Sequence, residues 1–150
     1  MKSPLMHART QLPHRLLLAW RLLWVLPCSL VGLLWGLVLL AFGGGCRRVG
    51  RTLEFYRFAD TLPVCSRWHS VPYGAITLGH VILGIDGCML EQVRSHERVH
   101  VRQYERWGPL FFIAYPASSL WALLCGKRPY WDNAFERAAY RLQDDPVIYS

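Results

Sequence analysis

The chain has 150 residues, a formal net charge of +7 and a composition that is 53% hydrophobic, which is enough for one ordinary domain. Its longest charge-free apolar run, residues 22–42, is too apolar to belong to a purely soluble fold. The positive charge does not indicate nucleic-acid binding, because much of it lies beside apolar segments, where anionic lipid headgroups are the nearer partner, and neither a glycine-rich phosphate loop nor an aromatic-basic sheet motif is present.

The first predicted element is a transmembrane helix. Residues 22–42 carry no charged side chain, and a bilayer crossing needs about 20 apolar residues. A cleaved signal peptide behind the basic leader is the alternative, but the apolar run is too long for one. We therefore expect an integral protein of the cell inner or plasma membrane, with membrane lipid as a partner. Arginines flank both ends of the run, so the positive-inside rule leaves the orientation open.

The predicted organisation has three parts, namely a basic segment and transmembrane helix over residues 1–45, a connector over 46–74 and a metal-binding domain over 75–150. Residues 47–62 open the connector and are interpreted as a short interfacial helix. Residues 76–85 are rich in β-branched side chains between glycines, which predicts a short strand or a two-stranded ribbon.

The five cysteines form no C-x-x-C pair and are interpreted as packing residues. A disulfide between Cys65 and Cys88 is the alternative if the region faces an oxidising compartment.

Residues 89–107 are predicted to form an amphipathic helix that ends at Gly108 and Pro109. Arginines at i, i+4 spacing mark its polar face. The opposite stripe is predicted to be buried and contains both His96 and His100, with Glu97 at its edge. The other members of this stripe are Met89, Val93, Tyr104 and Trp107.

His96, Glu97 and His100 form the pattern H-E-x-x-H. Two histidines one helical turn apart can direct a ring nitrogen at the same Zn²⁺, and Glu97 can then act as general base towards a water molecule. The pattern also arises by chance, and zinc in a hydrolase needs a third protein ligand. The hypothesis of a zinc site therefore depends on a further residue.

Glu136 is the candidate third ligand. It lies within residues 131–143, which predict a helix whose N-cap is Asp132 or Asn133. The alternative is a capping box, in which Glu136 returns to the backbone N–H of Asn133. Residues 110–124, between the two ligand-bearing helices, form a second apolar stretch that is either a buried helix or a second crossing.

H-E-x-x-H followed on a later helix by N-x-x-E-x-x-A, here residues 133–139, resembles the gluzincin group of zinc metallopeptidases, in particular its minimal membrane-associated members. The resemblance implies His96, His100 and Glu136 as ligands of Zn²⁺ and Glu97 as general base. It also implies that the strand within residues 76–85 lines the cleft and pairs with an extended peptide substrate.

The expected fold is mainly α with a short β-ribbon, of the zincin-like α+β class, with an N-terminal transmembrane helix and a second apolar helix between the two metal-ligand helices. The expected function is that of a membrane-anchored zinc-dependent hydrolase, a metallopeptidase acting on a peptide or protein substrate. The alternative is a non-catalytic small membrane adaptor with structural or no zinc, docking on lipid or on a membrane protein partner. No motif identifies a residue that stabilises the transition state or supports a ligand, and the candidates are Tyr130, Tyr104, His80 and Asn133.

Overall fold

The computed structural model describes residues 4–58 and 74–145, with side chains at 17, over 19–57 and over 74–145. It contains four α-helices, four strands and a short 3₁₀ turn at Gly108–Leu110. In chain order the elements are α1 (Pro4–Ala41), β1 (Gly45–Val49), β2 (Thr52–Phe58), β3 (Ala75–Leu78), β4 (Val81–Asp86), α2 (Gly87–Trp107), α3 (Phe111–Leu124) and α4 (Ala134–Leu142).

The four strands form one mixed sheet in the order β1-β2-β4-β3. β1 and β2 are antiparallel, β2 and β4 are parallel, and β3 is antiparallel to β4. The ribbon predicted over residues 76–85 is confirmed as β3 and β4, but it is half of a larger sheet. The expected mainly α fold is therefore corrected to a mixed α/β fold.

The prediction of an interfacial helix over residues 47–62 is wrong where the structure describes the segment. β1 and β2 form a hairpin there, with Gly50 in the turn at φ 63°. Alternate β2 side chains face opposite sides of the sheet, so that Glu54 meets α2 and Phe55 meets α1. Glu54 thus lies on the buried face of β2, whereas the described arginines of this segment remain partly or fully exposed. The rest of the predicted connector lies outside the described residues.

α1 packs along one face of the sheet through a stripe of small and buried residues. Val25 and Cys28 are fully buried in this stripe. A Cβ placed on Gly32 would lie 2.7 Å from the Val81 Cβ, and one on Gly36 would lie 2.6 Å from the Phe55 ring. The two glycines therefore allow the helix to approach the strands closely. α1 is part of the packed core as well as a candidate membrane segment.

α2 covers the opposite face of the sheet, where Ile82, Leu90 and Val101 form a buried cluster. The predicted helix over 89–107 is confirmed and begins two residues earlier, because the Asp86 carboxylate caps it by accepting the Met89 N–H at 2.7 Å. Trp107 was expected to be buried, but its side chain is 39% exposed at the last turn.

Within the part of the chain that the structure describes, two helical stretches are long and apolar enough to cross a membrane by length and composition, Ala19–Ala41 and Gly87–Leu124. The second reaches this length only because it joins α2 to α3, since the 14 residues of α3 span about 21 Å of the roughly 30 Å that a bilayer crossing requires. The outer surfaces of α1 and α3 are nevertheless strongly apolar. Ile113, Trp121 and Leu124 are among the exposed residues of α3.

The cysteines divide into two groups. Cys28, Cys46 and Cys125 are free thiols; Cys28 is buried, as expected of a packing residue, but Cys46 and Cys125 are exposed, so that interpretation is wrong for these two. Cys88, however, is disulfide-bonded. Cys65, which the sequence offered as its partner, lies outside the described residues.

Candidate metal centre

Two helices bring the three predicted ligands together. α2 presents His96 and His100 one turn apart on its buried side, and α4 presents Glu136 opposite them. All three residues are buried, and their ligand atoms lie within 4.8 Å of one another. Ala139 is fully buried on α4, and its small side chain allows the two helices to approach closely.

Asn133 fixes the position of α4. Its Oδ1 accepts the Phe135 N–H at 2.8 Å, which confirms it as the N-cap, while its Nδ2 donates to the Tyr115 carbonyl and to Ser119 Oγ on α3. The Asn133 backbone N–H instead donates to the Tyr130 carbonyl. The alternative capping box is therefore not formed, and the Glu136 carboxylate is directed at the two imidazoles.

The distances within the cluster match those of a metal site. His96 Nε2 lies 3.1 Å from Glu136 Oε2, His100 Nε2 lies 3.3 Å from Glu136 Oε1, and the two Nε2 atoms are 3.1 Å apart. Tetrahedral bonds of about 2.0–2.1 Å place ligand atoms roughly 3.3 Å from each other. The three side chains could thus hold a metal ion with little movement.

Two neighbouring side chains orient these ligands. His100 Nδ1 lies 2.8 Å from Gln103 Oε1, and the Gln103 amide donates in turn to the Phe135 carbonyl at 3.0 Å. Since an amide oxygen only accepts, this contact places a proton on His100 Nδ1, and Nε2 is the nitrogen that would bind a metal after losing its own proton. Tyr115 donates its hydroxyl to Glu136 Oε1 at 2.6 Å. Sequence reasoning missed both residues, although the i, i+3 spacing of Gln103 from His100 was a local signal.

The Glu136 carboxyl group is held in its ionised form. Burial alone would raise its pKa, but hydrogen bonds from His100 and His96 outweigh burial and hold the pKa well below its usual range. His96 differs from His100, because its Nδ1 is buried with no hydrogen-bond partner in the part of the chain that the structure describes. The Tyr140 ring packs against the His96 imidazole, with 4.5 Å between ring centroids.

Glu97 lies beside the cluster and is buried. Its Oε2 accepts the Thr77 hydroxyl at 2.7 Å, and within the described residues this is the hydrogen bond that the carboxylate makes. Thr77 belongs to β3, so the edge strand of the sheet determines where the carboxylate points. The second oxygen of Glu97 remains available to a water molecule or substrate.

A cavity of about 530 Å³ joins these residues. Its floor contains the three ligands and Glu97, and its walls are β3 on one side and the first turns of α3 on the other. The prediction that a strand within residues 76–85 lines the cleft is met by β3.

The four remaining candidates lie in different places. Tyr130 lines the cavity, and burial together with its contact to the Tyr140 hydroxyl at 3.5 Å raises the pKa of its phenol. Tyr104 also touches the cavity but packs mainly in an apolar cluster with Val25, Cys28 and Phe111. Asn133 caps the first turn of α4 and holds that helix against α3.

The structure does not bring His80 to the cluster. Its backbone N–H donates to Ser29 Oγ at 3.0 Å, and its Nε2 lies 3.3 Å from Glu105 Oε1. It thus connects the β3–β4 turn to α1 and α2, away from the cavity.

Comparison with known proteins gives no match, since no family model fits the chain and no curated protein or solved structure is significantly similar to it. The chemistry of the cluster must therefore be argued from its own residues. Two imidazole nitrogens and one carboxylate, all buried and convergent, form a donor set that suits a divalent transition metal.

Proposed function

We propose that the chain is a membrane-anchored, zinc-dependent metallopeptidase of the gluzincin type. The observation that carries the proposal is the convergence of His96, His100 and Glu136 with a fourth side chain, Glu97, in one cavity. The four residues have the identities and the relative placement that metal-assisted hydrolysis requires, namely three ligands and a separate general base.

Zinc is the metal that best fits this donor set. Catalytic zinc sites keep two histidines and a glutamate as protein ligands and leave a fourth position for water. In such a site zinc lowers the pKa of water to about 7 and polarises the substrate carbonyl. Here the cluster borders the cavity, so the fourth position would face the space that a substrate enters.

Glu97 would transfer the proton in the reaction. Thr77 holds one carboxylate oxygen at 2.7 Å, which leaves the other free to take a proton from the attacking water and then deliver it to the departing amine. Tyr130 is the candidate that would donate a hydrogen bond to the negative charge developing on the carbonyl oxygen, since its phenol lies on the cavity wall near Glu136.

The alternative of a non-catalytic membrane adaptor accounts less well for Glu97. A buried carboxylate whose hydrogen-bond partner among the described residues is the neutral Thr77 hydroxyl is costly for a protein that needs only its outer surface. A hydrolase would use the Glu97 carboxylate as its general base. The burial and the hydrogen bonding of Glu97 therefore favour the enzyme over the adaptor.

Metal content is the first test. We expect about one zinc ion per chain in detergent-purified protein by elemental analysis, with loss or weakening of binding in His96→Ala and in Glu136→Ala. His80→Ala is the matched control, because it removes a buried histidine outside the cluster and should keep the metal. Folded wild-type protein that takes up no zinc after reloading would overturn the proposal.

Activity is the second test. Glu97→Gln should retain zinc and fold, yet cleave a peptide library about 10²–10⁴ times more slowly than wild type. A variant that cleaves at the wild-type rate would contradict the role given to Glu97, and a zinc-loaded wild type that cleaves no peptide would favour the adaptor.

A further inference from the structure

α1 exposes apolar side chains along its whole charge-free length. Residues 22–42 carry no charged side chain, and Leu23, Leu30 and Leu37, which follow one another at two-turn intervals, are 62%, 50% and 51% exposed. Apolar surface of this extent marks contact with a membrane or a partner. How the helix enters a bilayer depends on what the attached sheet allows.

The sheet is attached to the middle of the candidate span Ala19–Ala41. Ser29, which lies next to the midpoint of the span, accepts the His80 N–H at 3.0 Å. A Cβ on Gly32 would lie 2.7 Å from the Val81 Cβ. An α1 that stood upright across a bilayer would therefore place the β3–β4 turn at the level of the bilayer centre.

Exposed polar parts of the hairpin would lie near the same level. The Leu53 N–H donates to the His80 carbonyl at 3.0 Å, and Leu53 lies opposite Arg48 of β1. Arg48 and Arg51 are exposed, as is Gly50 in the turn between them. Since neighbouring strands are about 5 Å apart and two strand residues span about 7 Å, the backbone of both arginines stays within roughly 10 Å of this level. The hydrocarbon of a bilayer extends about 15 Å to either side of its centre.

The sheet also has two open edges. β1 and β3 are its outer strands, and among the residues that the structure describes no further strand pairs with either of them. Lipid cannot satisfy the N–H and C=O groups of such an edge, and open sheet edges do not face lipid within the hydrocarbon region. Exposed arginines at that depth add a further cost. A helix that crosses the bilayer upright is therefore incompatible with the sheet that packs on it.

A helix that lies flat in one leaflet removes this conflict. An α-helix with its side chains is about 10 Å wide, and the hydrocarbon of one leaflet is roughly 15 Å thick. In-plane helices bury an apolar face in the leaflet and keep a polar face towards water. α1 has no polar face of its own, but the sheet covers its stripe of Val25, Cys28, Gly32 and Gly36 and thus supplies the polar side.

α3 and two arginines fit the same arrangement. Phe111, at the start of α3, packs with Val25 of α1, and Trp121 further along α3 is 70% exposed. The side chain of Arg21 is 57% exposed at the start of the apolar run, and Arg51 is exposed on the hairpin. Arginine stems are long enough to bring the guanidinium group to the headgroups, where anionic lipid attracts it.

We propose that α1 and the outer face of α3 lie in the plane of one leaflet of a phospholipid bilayer that contains anionic lipid, with the sheet and α2 on the water side. α1 then does not cross the membrane, and both of its ends lie on the same side as the metal centre. The proposal concerns the anchor alone and does not depend on the peptidase chemistry.

Depth along α1 tests the proposal in vesicles of phosphatidylcholine and phosphatidylglycerol. Nitroxide labels are attached one at a time to Leu23→Cys, Leu30→Cys and Leu37→Cys, after serine replaces the two exposed thiols, Cys46 and Cys125. A crossing helix places the middle label about 10 Å deeper than the outer two, because seven residues rise about 10 Å.

We expect the three labels to have similar depths within one leaflet, measured by relaxation with oxygen and with a water-soluble nickel complex. A label at Gln92→Cys, on the exposed face of α2, is the control and should contact water. A deepest position at residue 30, or contact with water at all three sites of α1, would overturn the proposal.

An impermeant maleimide reports the side of a sealed vesicle that each end of α1 faces. The test variant carries Ser3→Cys before the apolar run and keeps Cys46 after it, with Cys125→Ser. A flat helix gives two labels or none on each chain, whichever way the chain inserted, whereas a crossing helix gives a single label. Intact mass counts the labels, and detergent should bring every chain to two. A population of singly labelled chains would overturn the proposal.

Flotation with vesicles tests the headgroup preference. Vesicles with phosphatidylglycerol should recover several-fold more protein at low salt than vesicles of phosphatidylcholine alone. The double variant Arg21→Gln, Arg51→Gln should lose this preference, whereas Arg137→Gln, an exposed change on α4, should keep it. Equal recovery of wild type by the two kinds of vesicle would overturn the role of anionic lipid.

Zinc content, measured on the same preparations, separates this proposal from the proposed function. Zinc-loaded chains with a crossing helix would overturn the flat anchor and keep the metal centre. Folded chains that take up no zinc but hold α1 flat would overturn the metal centre and support the flat anchor.

Discussion

At the scale of single residues, the two histidines of α2 are not equivalent. His100 donates its Nδ1 proton to Gln103, which is itself tied to the Phe135 carbonyl of α4. His96 has no such support for its Nδ1 within the described residues and relies on packing against Tyr140. The orientation of His100, and the spacing of α2 from α4, therefore depend on one amide side chain.

Replacing Gln103 should weaken the metal site without removing a ligand. We expect Gln103→Ala to lower zinc affinity by about 10–100-fold, because the amide that fixes the ring and its tautomer is lost. Competition with a chelator of known affinity measures the change. Gln92→Ala, on the exposed face of the same helix, should have no effect, and equal affinities in the two variants would contradict the role given to Gln103.

Tyr130 and Tyr104 were equivalent candidates in the sequence, but their surroundings differ. Tyr130 has its phenol on the cavity wall near Glu136, whereas Tyr104 packs among apolar side chains. Tyr130→Phe should lower kcat by about 10²–10³-fold at unchanged zinc content, as expected for loss of one oxyanion donor. Tyr104→Phe should change kcat little. Similar kcat values for the two variants would remove Tyr130 from the mechanism.

The local part of this site could be predicted from the sequence, because His96, Glu97 and His100 lie within one helical turn and Glu136 lies in a short helix of its own. Thr77, Gln103 and Tyr115 were not predicted. Gln103 lies at i, i+3 from His100, which was a local signal, but its amide is fixed by the Phe135 carbonyl of α4. Thr77 and Tyr115 act through contacts between different elements, namely β3 with α2 and α3 with α4. Such contacts depend on the packing of the elements and leave no periodic trace in the sequence.

At the scale of elements, the hairpin is joined to α2 by an ion-pair cluster around Glu54. Glu54 is fully buried on β2 and receives Arg47 of β1 at 2.8 Å and Arg94 of α2 at 2.8 Å. Arg47 also reaches Glu91 and the Gly87 carbonyl at the start of α2. Because the Arg94 guanidinium donates to Glu54 of the hairpin, Arg94 does not belong to the polar face of α2. The i, i+4 spacing of the arginines had predicted that it would.

Glu54→Gln should therefore destabilise the protein by about 3–5 kcal/mol, since it leaves buried guanidinium groups without their carboxylate. Glu91→Gln is the control, because that carboxylate is largely exposed and should cost roughly 0–1 kcal/mol. Thermal unfolding in detergent at neutral pH measures both. A loss of similar size in the two variants would contradict a central role for Glu54.

The same carboxyl group predicts a pH dependence of stability. Burial alone would raise the pKa of Glu54, but hydrogen bonds from Arg94 and Arg47 outweigh burial and lower the pKa. A lowered folded-state pKa gives a stabilisation that is complete above the unfolded value of about 4.3 and is lost as the pH falls through the folded value. The stability difference between wild type and Glu54→Gln should accordingly shrink at acid pH, and a constant difference would contradict this explanation.

The elements differed in how well the sequence predicted them. α2 and α4 follow a helical period with recognisable caps, and β3 and β4 are rich in β-branched residues between glycines. The hairpin was mistaken for an interfacial helix because residues 47–62 mix arginines and aromatic residues without a sustained period. In the structure the hairpin is joined to α2 through Arg47 and Glu54. Their partners, Arg94 and Glu91, lie about 40 residues further along the chain, so the reason for burying these charges was not visible locally.

At the scale of the whole molecule, α1 is long and apolar enough to cross a membrane and is also part of the packed core. Its exposed faces are apolar, while its inner stripe of Val25, Cys28, Gly32 and Gly36 packs against the sheet and α2. The sequence showed the length and apolarity of this helix but not which face would be buried, since glycine at i, i+4 within an apolar run is common in membrane helices. The candidate metal centre and the candidate membrane helix are thus coupled through one helix–sheet interface.

Gly36→Val tests this coupling. A Cβ at residue 36 would lie 2.6 Å from the Phe55 ring, so the side chain must push α1 away from β2, and overpacking of this kind costs about 1–3 kcal/mol. Leu37→Val, on the exposed face one residue further along, changes the same apolar helix without touching the sheet. We expect only Gly36→Val to lower the unfolding temperature in detergent and, at elevated temperature, the retained zinc. If both variants match wild type in unfolding temperature and retained zinc, α1 is an independent anchor. If only Gly36→Val unfolds at a lower temperature and loses zinc, the metal centre depends on the packing of α1. In that case α1 cannot be exchanged for an unrelated apolar segment.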